Sequence, residues 1–172
     1  MTDQQPPAGY VSVSADASGL KIVRVFDAPR ELVFKAWTEP RHFAAWFGEH
    51  GSSMPLETVS MDARPGGAWS AIMVHGPGQV RIPFSGRFRE VVPPERVVLT
   101  LTDQPEPSDD ATDVLTAVFR DLGSGRTEMT FTQLGGHLPS DEYSRALRGY
   151  LIFFERMAAH LAADLAAEPV NA

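Results

Sequence analysis

The sequence predicts an α+β fold in which a curved antiparallel sheet of about six to seven strands wraps around a long C-terminal helix. Three observations support this prediction. An alternating apolar segment at residues 20–26 is followed by two short helical segments, each opened by a proline. Segments of β-type composition then continue to residue 133, separated by short turns. A stripe of apolar residues at helical spacing occupies the C-terminal region.

The two short helices are predicted from prolines and apolar spacing. Pro29 suits the first helical position, where the missing N–H of a proline has no cost. Pro40 ends the first helix and begins the second, because the residue before a proline resists the α conformation. Phe43, Trp46 and Phe47 then give the second helix an apolar side.

The segments after these helices are separated by glycine, proline and acidic turns, which favour antiparallel pairing of sequence neighbours in a meander. Gly86 lies inside the longest segment, where a glycine often marks a bulge or a sharp bend. A bend at this point would let the sheet curl around a helix. The strand candidates are residues 54–62, 68–75, 80–92, 96–102, 113–121 and 126–133.

The last helix is predicted to begin at Ser140, which suits the N-cap position. Asp141 and Glu142 follow it and are favourable near the positive end of a helix dipole. Apolar residues then recur every three or four positions from Leu147 to Leu165. So broad a stripe must lie on a large apolar surface, and the sheet is the surface that the sequence offers.

A chain of 172 residues suits one domain with a sizeable core. We expect this domain at residues 20–167, after a flexible leader at residues 1–19 and before a tail at residues 168–172. The leader is rich in polar residues, proline and glycine. Alternation at residues 11–14 also allows a short strand that turns at residues 16–19.

Composition excludes several classes of function. Lys and Arg number 15 against 22 Asp and Glu, and this net charge of −7 disfavours both nucleic-acid binding and docking on an anionic membrane. Cysteine is absent, and the five histidines show no metal-binding spacing, so no metal and no cofactor is expected. The first residues carry neither a basic start nor an apolar run, and we expect the protein in the cytoplasm.

Charged residues are predicted mainly at the surface. Arg81, Arg87 and Arg89 alternate with Phe88 along one strand, so they are expected on its solvated face. The acidic segment that ends at Asp113 is predicted to be a solvated loop.

Five segments carry a resemblance to a known family. They are residues 24–40, Trp46-Phe47-Gly48, residues 62–69, residues 86–98 and Gly149-Tyr150. In this order they resemble the START-like helix-grip (SRPBCC) superfamily, and more narrowly the branch of homologues of the heat-shock-protein-90 ATPase activator. Two positions depart from the common pattern, since Phe47 and Tyr150 stand where many relatives carry tryptophan.

The resemblance implies a cavity between the sheet and the long helix. Strand alternation nominates part of its lining, and residues of the helices could close it. Pockets of this kind are mostly apolar with a few polar groups. Each nominated side chain could alternatively be an ordinary part of the core. The candidate ligand-binding residues are Trp46, Phe47, Trp69, Met73, His75, Phe84, Phe88, Tyr150, Phe153 and Met157.

The function predicted from these features is non-catalytic binding of a small hydrophobic or amphipathic molecule, such as a lipid, and no catalytic residue is assigned. Two alternatives stay open. The first is a superfamily enzyme of the cyclase, dehydratase or hydrolase type, with His75 or a buried carboxylate as acid or base. The second is an interaction module that regulates a chaperone. The sequence leaves open whether the protein forms a homodimer.

Overall fold

Nine strands and three α-helices form the part of the chain that the computed structural model describes, which is residues 5–104, 112–135 and 139–167. The helices are α1 (Arg30–Thr38), α2 (Pro40–Trp46) and α3 (Ser140–Ala167), and a single 3-10 turn spans Leu56–Thr58. The strands are β1 (Val11–Asp16), β2 (Gly19–Phe26), β3 (Ser52–Ser53), β4 (Ser60–Met61), β5 (Ala68–His75), β6 (Val80–Val92), β7 (Arg96–Leu101), β8 (Asp113–Gly123) and β9 (Arg126–Leu134).

The predicted α+β fold is confirmed, with a curved antiparallel sheet, two short helices early in the chain and a long helix at its end. Strands β5 to β9 pair in chain order, as expected for a meander. Strand β2 then pairs with β9, with Ile22 opposite Phe131, and β1 forms the outer edge. At the other edge, β3 and β4 both pair with β5.

Part of the segment expected as a leader belongs to the sheet. Strand β1 pairs with β2 along its whole length, with Val13 opposite Ile22, although all six of its residues are exposed. The turn between the two strands is fixed by the Asp16 carboxylate, which accepts hydrogen bonds from the amide and the hydroxyl of Ser18 at 2.8 and 2.6 Å. These hydrogen bonds hold the pKa of Asp16 below its ordinary value.

The continuous strand predicted at residues 54–62 is wrong. This stretch contains the 3-10 turn and the two-residue strand β4 instead. Pro55 precedes the turn and cannot donate a ladder hydrogen bond. Its carbonyl oxygen accepts from the Thr58 hydroxyl at 2.7 Å, so local bonds replace strand pairing here.

The prolines start both short helices, although they occupy different positions. Pro29 is the N-cap of α1 with extended backbone angles, one residue earlier than predicted, whereas Pro40 begins α2. The Trp46 indole N–H donates to the carbonyl of Ala36 at 2.7 Å and joins the two helices.

Gly86 marks a close approach between three strands. Trp69 of β5 lies opposite Gly86, and its indole N–H passes on to the Thr100 carbonyl of β7 at 2.9 Å. A Cβ at Gly86 would overlap that carbonyl oxygen and stand 2.6 Å from Trp69 Nε1. The β6–β7 register shifts just beyond, between Phe88 and Glu90, so the irregularity predicted around this glycine is present.

Helix α3 packs its apolar side against one face of the sheet. Tyr143, Phe154, Met157 and Leu161 are almost completely buried there. Together with the inward side chains of the strands and α1–α2, they form one hydrophobic core. Among the described residues, no helix is long and apolar enough to cross a membrane.

Candidate functional site

Most of the side chains nominated from the sequence meet in the core between α3 and the sheet. Eight of the ten belong to the main hydrophobic cluster, and Phe84 packs against it while half-buried. His75 is the exception. The eight are Trp46, Phe47, Trp69, Met73, Phe88, Tyr150, Phe153 and Met157.

The deeper members of this set already have structural partners. The Trp46 indole is bonded to α1 and the Trp69 indole to β7, so neither N–H is available to a ligand without breaking a bond of the fold. Phe88 and Met157 are also almost fully buried. We therefore exclude these deeper side chains from the candidate site and keep those near the N-terminal half of α3.

Four aromatic rings define this narrower region. Phe47 contacts both Phe153 and Phe84, with ring centroids 5.1 and 5.5 Å apart. Tyr150 stands 5.3 Å from Phe153 on the same helix and 4.5 Å from Phe131 of β9. We call Phe47, Phe84, Tyr150 and Phe153 the aromatic group. Their edge-to-face and tilted contacts fill the space between sheet and helix with the protein's own side chains.

The loop after α2 holds Phe47 in place. Arg156 of α3 donates from Nη1 to the carbonyls of Gly48 and Glu49 at 2.9 and 3.1 Å. Burial lowers the pKa of Arg156, yet the guanidinium remains charged because its ordinary value is so high. Gly48 has a φ of +148°, and a Cβ there would meet Ser52 Oγ at 2.6 Å.

A buried polar group lies beside the aromatic rings and consists of Asp113, Gln133 and Tyr143. The Asp113 carboxylate accepts a hydrogen bond from the Gln133 side-chain amide and one from the Tyr143 hydroxyl, the latter at 3.4 Å. All three side chains are buried, with exposed fractions of 5%, 4% and 0%. The group brings together the first residue of β8, the end of β9 and the first turns of α3.

The prediction that Asp113 belongs to a solvated loop is wrong, while residues 105–111 of the same acidic segment lie outside the described residues. Asp113 is in phase with the inward-facing Leu115 and Ala117 of β8. Gln133 is likewise in phase with the inward-facing Phe131 of β9. This alternation could have predicted that Asp113 and Gln133 face the core. Asp113 was instead assigned to a loop because of its acidic neighbours.

The polar group offers an acceptor to the interior, and Tyr150 of the aromatic group offers a donor. Gln133 Oε1 is buried and has no hydrogen-bond partner among the described residues. Burial, and then the nearby Asp113 carboxylate, raise the pKa of the Tyr150 phenol above its usual range, so this hydroxyl remains a donor at neutral pH. A buried acceptor without a partner costs about 1–3 kcal/mol. A ligand with a hydroxyl or an amine could satisfy it.

His75 lies apart from the polar group. It ends β5 opposite Val80, near the tip of the β5–β6 hairpin. This tip extends beyond the bridge between Ser85 and Thr102, where β6 separates from β7. The Nδ1 atom of His75 is buried without a hydrogen-bond partner among the described residues. The chain therefore does not bring His75 and the Asp113 carboxylate together as an acid–base pair.

The arginines of β6 face outward, as predicted. Arg81, Arg87 and Arg89 are exposed. Arg87 and Arg89 line an open groove of about 740 Å³ on the outer face of the sheet, together with the serine and threonine hydroxyls of neighbouring strands. The groove is separated from the aromatic group by the sheet itself.

The fold and the site define a helix-grip domain whose interior combines the aromatic group with the polar group of Asp113, Gln133 and Tyr143. The family model described as activator of Hsp90 ATPase homolog 1-like protein matches residues 27–162. The chain belongs to this family, and the resemblance seen in its sequence is confirmed. Among curated proteins, no sequence matches it.

Solved structures agree with this assignment. A protein from Chromobacterium violaceum is 26% identical, with 83% of this chain and 96% of that chain covered at a TM-score of 0.71. The AHSA1 protein from Silicibacter pomeroyi is 24% identical, with coverages of 86% and 99% and a TM-score of 0.71. A protein from Nitrosomonas europaea is 21% identical, with coverages of 86% and 96% and a TM-score of 0.74. The last two likenesses show the fold alone.

Proposed function

We propose that the protein binds a small hydrophobic or amphipathic molecule between the sheet and α3 without transforming it. Family membership and the helix-grip fold support a ligand-binding or regulatory module. The observation that carries the finer proposal is the buried polar group among aromatic rings, with Gln133 Oε1 lacking a partner among the described residues. Leaving this acceptor without a partner costs free energy that a donor on a ligand would recover. We also propose the cytoplasm as the setting, with which the absence of cysteine is compatible.

The two parts of the site match the two parts of an amphipathic ligand. Its apolar part would lie on Phe47 and Phe153, while a hydroxyl or amine would donate to Gln133 Oε1. Burying about 200 Å² of apolar ligand surface would contribute about 5 kcal/mol before ordering costs are subtracted. The polar contact would add less affinity, and it would set orientation and selectivity.

Binding requires aromatic rings to move, because they fill the region in the absence of ligand. Phe84 is the ring that we expect to move. It is half-buried and lies on the part of β6 beyond the Ser85–Thr102 bridge, where β5 is the strand paired with it. Rotation of Phe84 away from Phe47 would open the aromatic group from the side of the β5–β6 hairpin.

A second candidate function rests on the buried carboxylate. Asp113 is the kind of group that an enzyme of the cyclase, dehydratase or hydrolase type would use as acid or base. Its two oxygens already accept hydrogen bonds from Gln133 and Tyr143, which favours a positioning role. Turnover of a bound compound that disappears in Asp113→Asn would favour catalysis. Binding without turnover supports the first proposal.

The chaperone-regulating alternative predicts a contiguous exposed apolar patch. The large exposed apolar side chains of the described residues are instead divided among β1 and the residue before it, the 3-10 turn, and the ends of β6 and β9. They are Tyr10, Val11, Val13, Leu56, Val80, Val92 and Leu134.

The first experiment is native mass spectrometry of protein purified from its own organism, compared with the denatured mass. We expect a small molecule that leaves on denaturation. The second measures binding of 2-naphthol and naphthalene, which share an aromatic body and differ by one hydroxyl. Wild-type protein is expected to prefer 2-naphthol by about 5- to 10-fold, as one added hydrogen bond allows.

Gln133→Leu should abolish this preference while naphthalene still binds, which also shows that the variant is folded. Gln104→Leu is the matched control, because Gln104 is exposed, and it should keep the preference. The proposal fails if no mass is lost on denaturation and neither compound, nor any long-chain alcohol or fatty acid, binds. A preference for 2-naphthol that survives in Gln133→Leu would refute the role of the polar group.

A further inference from the structure

A cluster of two histidines and an aspartate joins α2 to the C-terminal half of α3. His42 lies on α2, and His160 and Asp164 lie one turn apart on α3. His42 Nδ1 and His160 Nε2 are 2.8 Å apart, and all three ligand atoms lie within 4.8 Å of one another. His160 is about 15 Å along α3 from Tyr150, so this cluster is separate from the aromatic group.

We propose that His42, His160 and Asp164 form a binding site for a divalent transition metal, with Zn²⁺ the best match. Two imidazole nitrogens and one carboxylate oxygen are a donor set that Zn²⁺ favours, with a fourth position left for water. Bonds of about 2.0–2.1 Å in a tetrahedron place neighbouring donors about 3.3 Å apart. The two histidine nitrogens are 2.8 Å apart and the carboxylate oxygen lies within 4.8 Å of both, so only small side-chain adjustments separate the cluster from this geometry.

The electrostatic surroundings keep both imidazoles available as ligands. Burial lowers the pKa of His160, and burial together with the Arg41 guanidinium lowers the pKa of His42. Neutral imidazole is the form that binds a metal. The contact between the two rings needs one N–H and one lone pair, so metal binding at both nitrogens requires the donating ring to carry its proton on its other nitrogen.

Glu39 is placed to support the metal-binding form of His42. Its Oε2 lies 3.7 Å from His42 Nε2. When Nδ1 of His42 is the metal ligand, Nε2 carries the proton and can donate to this carboxylate. Such carboxylate–histidine–metal arrangements orient the ring and raise the basicity of the ligating nitrogen.

Arg41 competes with the metal. Its guanidinium lies 3.1 Å from His42 Nε2 and 3.4 Å from the Asp164 carboxylate. The Arg41 side chain is 65% exposed, so it can rotate into solvent at small cost. Removing it would free Asp164 and remove a positive charge beside the site. We therefore expect that removing the Arg41 guanidinium tightens metal binding, which an accidental grouping of histidines would not predict.

The test is calorimetric titration of the untagged chain with ZnCl₂. Wild-type protein should bind one Zn²⁺ per chain, and Co²⁺ should give the visible absorption of a tetrahedral complex with nitrogen and oxygen ligands. His160→Gln and Asp164→Asn should each weaken binding by about tenfold or more. Arg41→Gln should tighten it severalfold. His50→Gln is the matched control, because His50 is an exposed histidine outside the cluster, and it should bind like wild type.

Circular dichroism of each metal-free variant establishes that it is folded before titration. Absence of stoichiometric Zn²⁺ binding in both wild type and Arg41→Gln would overturn the proposal. Unchanged affinity in folded His160→Gln would overturn it equally, as would weaker binding in Arg41→Gln.

Discussion

Replacing Gly86 with alanine tests whether the contact between β5, β6 and β7 determines the stability of this domain. The new Cβ would overlap the Thr100 carbonyl oxygen and crowd Trp69 Nε1 at 2.6 Å. Since the first obstacle is backbone, the strand has to shift, and the Trp69–Thr100 hydrogen bond is the first interaction to break. The conformation of Gly86 is otherwise open to alanine, because its φ is outside the left-handed region.

The magnitude follows from three contributions. Overpacking of this kind costs about 1–3 kcal/mol, and the lost hydrogen bond costs about 0.5–1.5 kcal/mol. Alanine restricts the unfolded chain, which offsets about 0.4–1 kcal/mol. The free energy of unfolding should therefore fall by about 2–3 kcal/mol. For a domain of this size the corresponding decrease in Tm is about 4–12 °C.

Differential scanning calorimetry of wild type, Gly86→Ala and Gly78→Ala measures this effect. Gly78 is the matched control, because no atom lies within 4 Å of its added Cβ and its φ is also outside the left-handed region. Its Tm should change by less than about 4 °C. If Gly86→Ala unfolds at the same temperature as Gly78→Ala, the close approach of Gly86 to Thr100 does not constrain the fold and the reasoning is refuted.

Two further predictions concern pH. The pKa of Glu155 is lowered mainly by its hydrogen bond from the buried Arg24 at 2.8 Å, so its stabilising contribution is present above the ordinary carboxyl value and is lost as pH falls below it. Glu155→Gln should therefore unfold at a lower urea concentration than wild type at pH 7, and this difference should shrink near pH 3. Glu90→Gln removes a carboxylate from an ion pair with an exposed partner, so its unfolding midpoint should change little. The pKa of Tyr150 is raised, so its contribution is present below the ordinary tyrosine value and is lost as pH rises above it. Tyr150→Phe should thus make alkaline unfolding less steep, and equal steepness would contradict the assignment.

The elements of this fold were predictable where local chemistry decides them. Prolines marked both short helices, and the apolar period from Leu147 to Leu165 identified α3. The stretch at residues 54–62 was misassigned because its apolar residues outweighed the effect of Pro55. Pairing of β2 with β9 depends on contacts between residues about a hundred positions apart, which no local pattern specifies.

The candidate site was predictable to a smaller extent. Phe47, Tyr150 and Phe153 were nominated from the helices. Strand alternation found Phe84, because inward positions repeat every second residue. It could not separate side chains that fill the core, such as Phe88, from those near an entrance. The cluster of His42 and His160 was inaccessible from spacing, since 118 positions separate the two residues and only the packing of α2 on α3 brings them together.

The filled interior and the buried polar group lead to one consequence for affinity. If Phe84 must rotate before a ligand enters, the apparent affinity is reduced by the fraction of molecules that are open. Contacts that stabilise the closed aromatic group therefore oppose binding, while Gln133 Oε1 favours it. Phe84→Ala should consequently lower stability and raise the affinity for naphthalene, whereas Gln133→Leu alters selectivity for a hydroxyl. A loss of stability together with a gain of affinity in Phe84→Ala is what a ligand site predicts, because in a simple core the same change would lower stability without raising affinity.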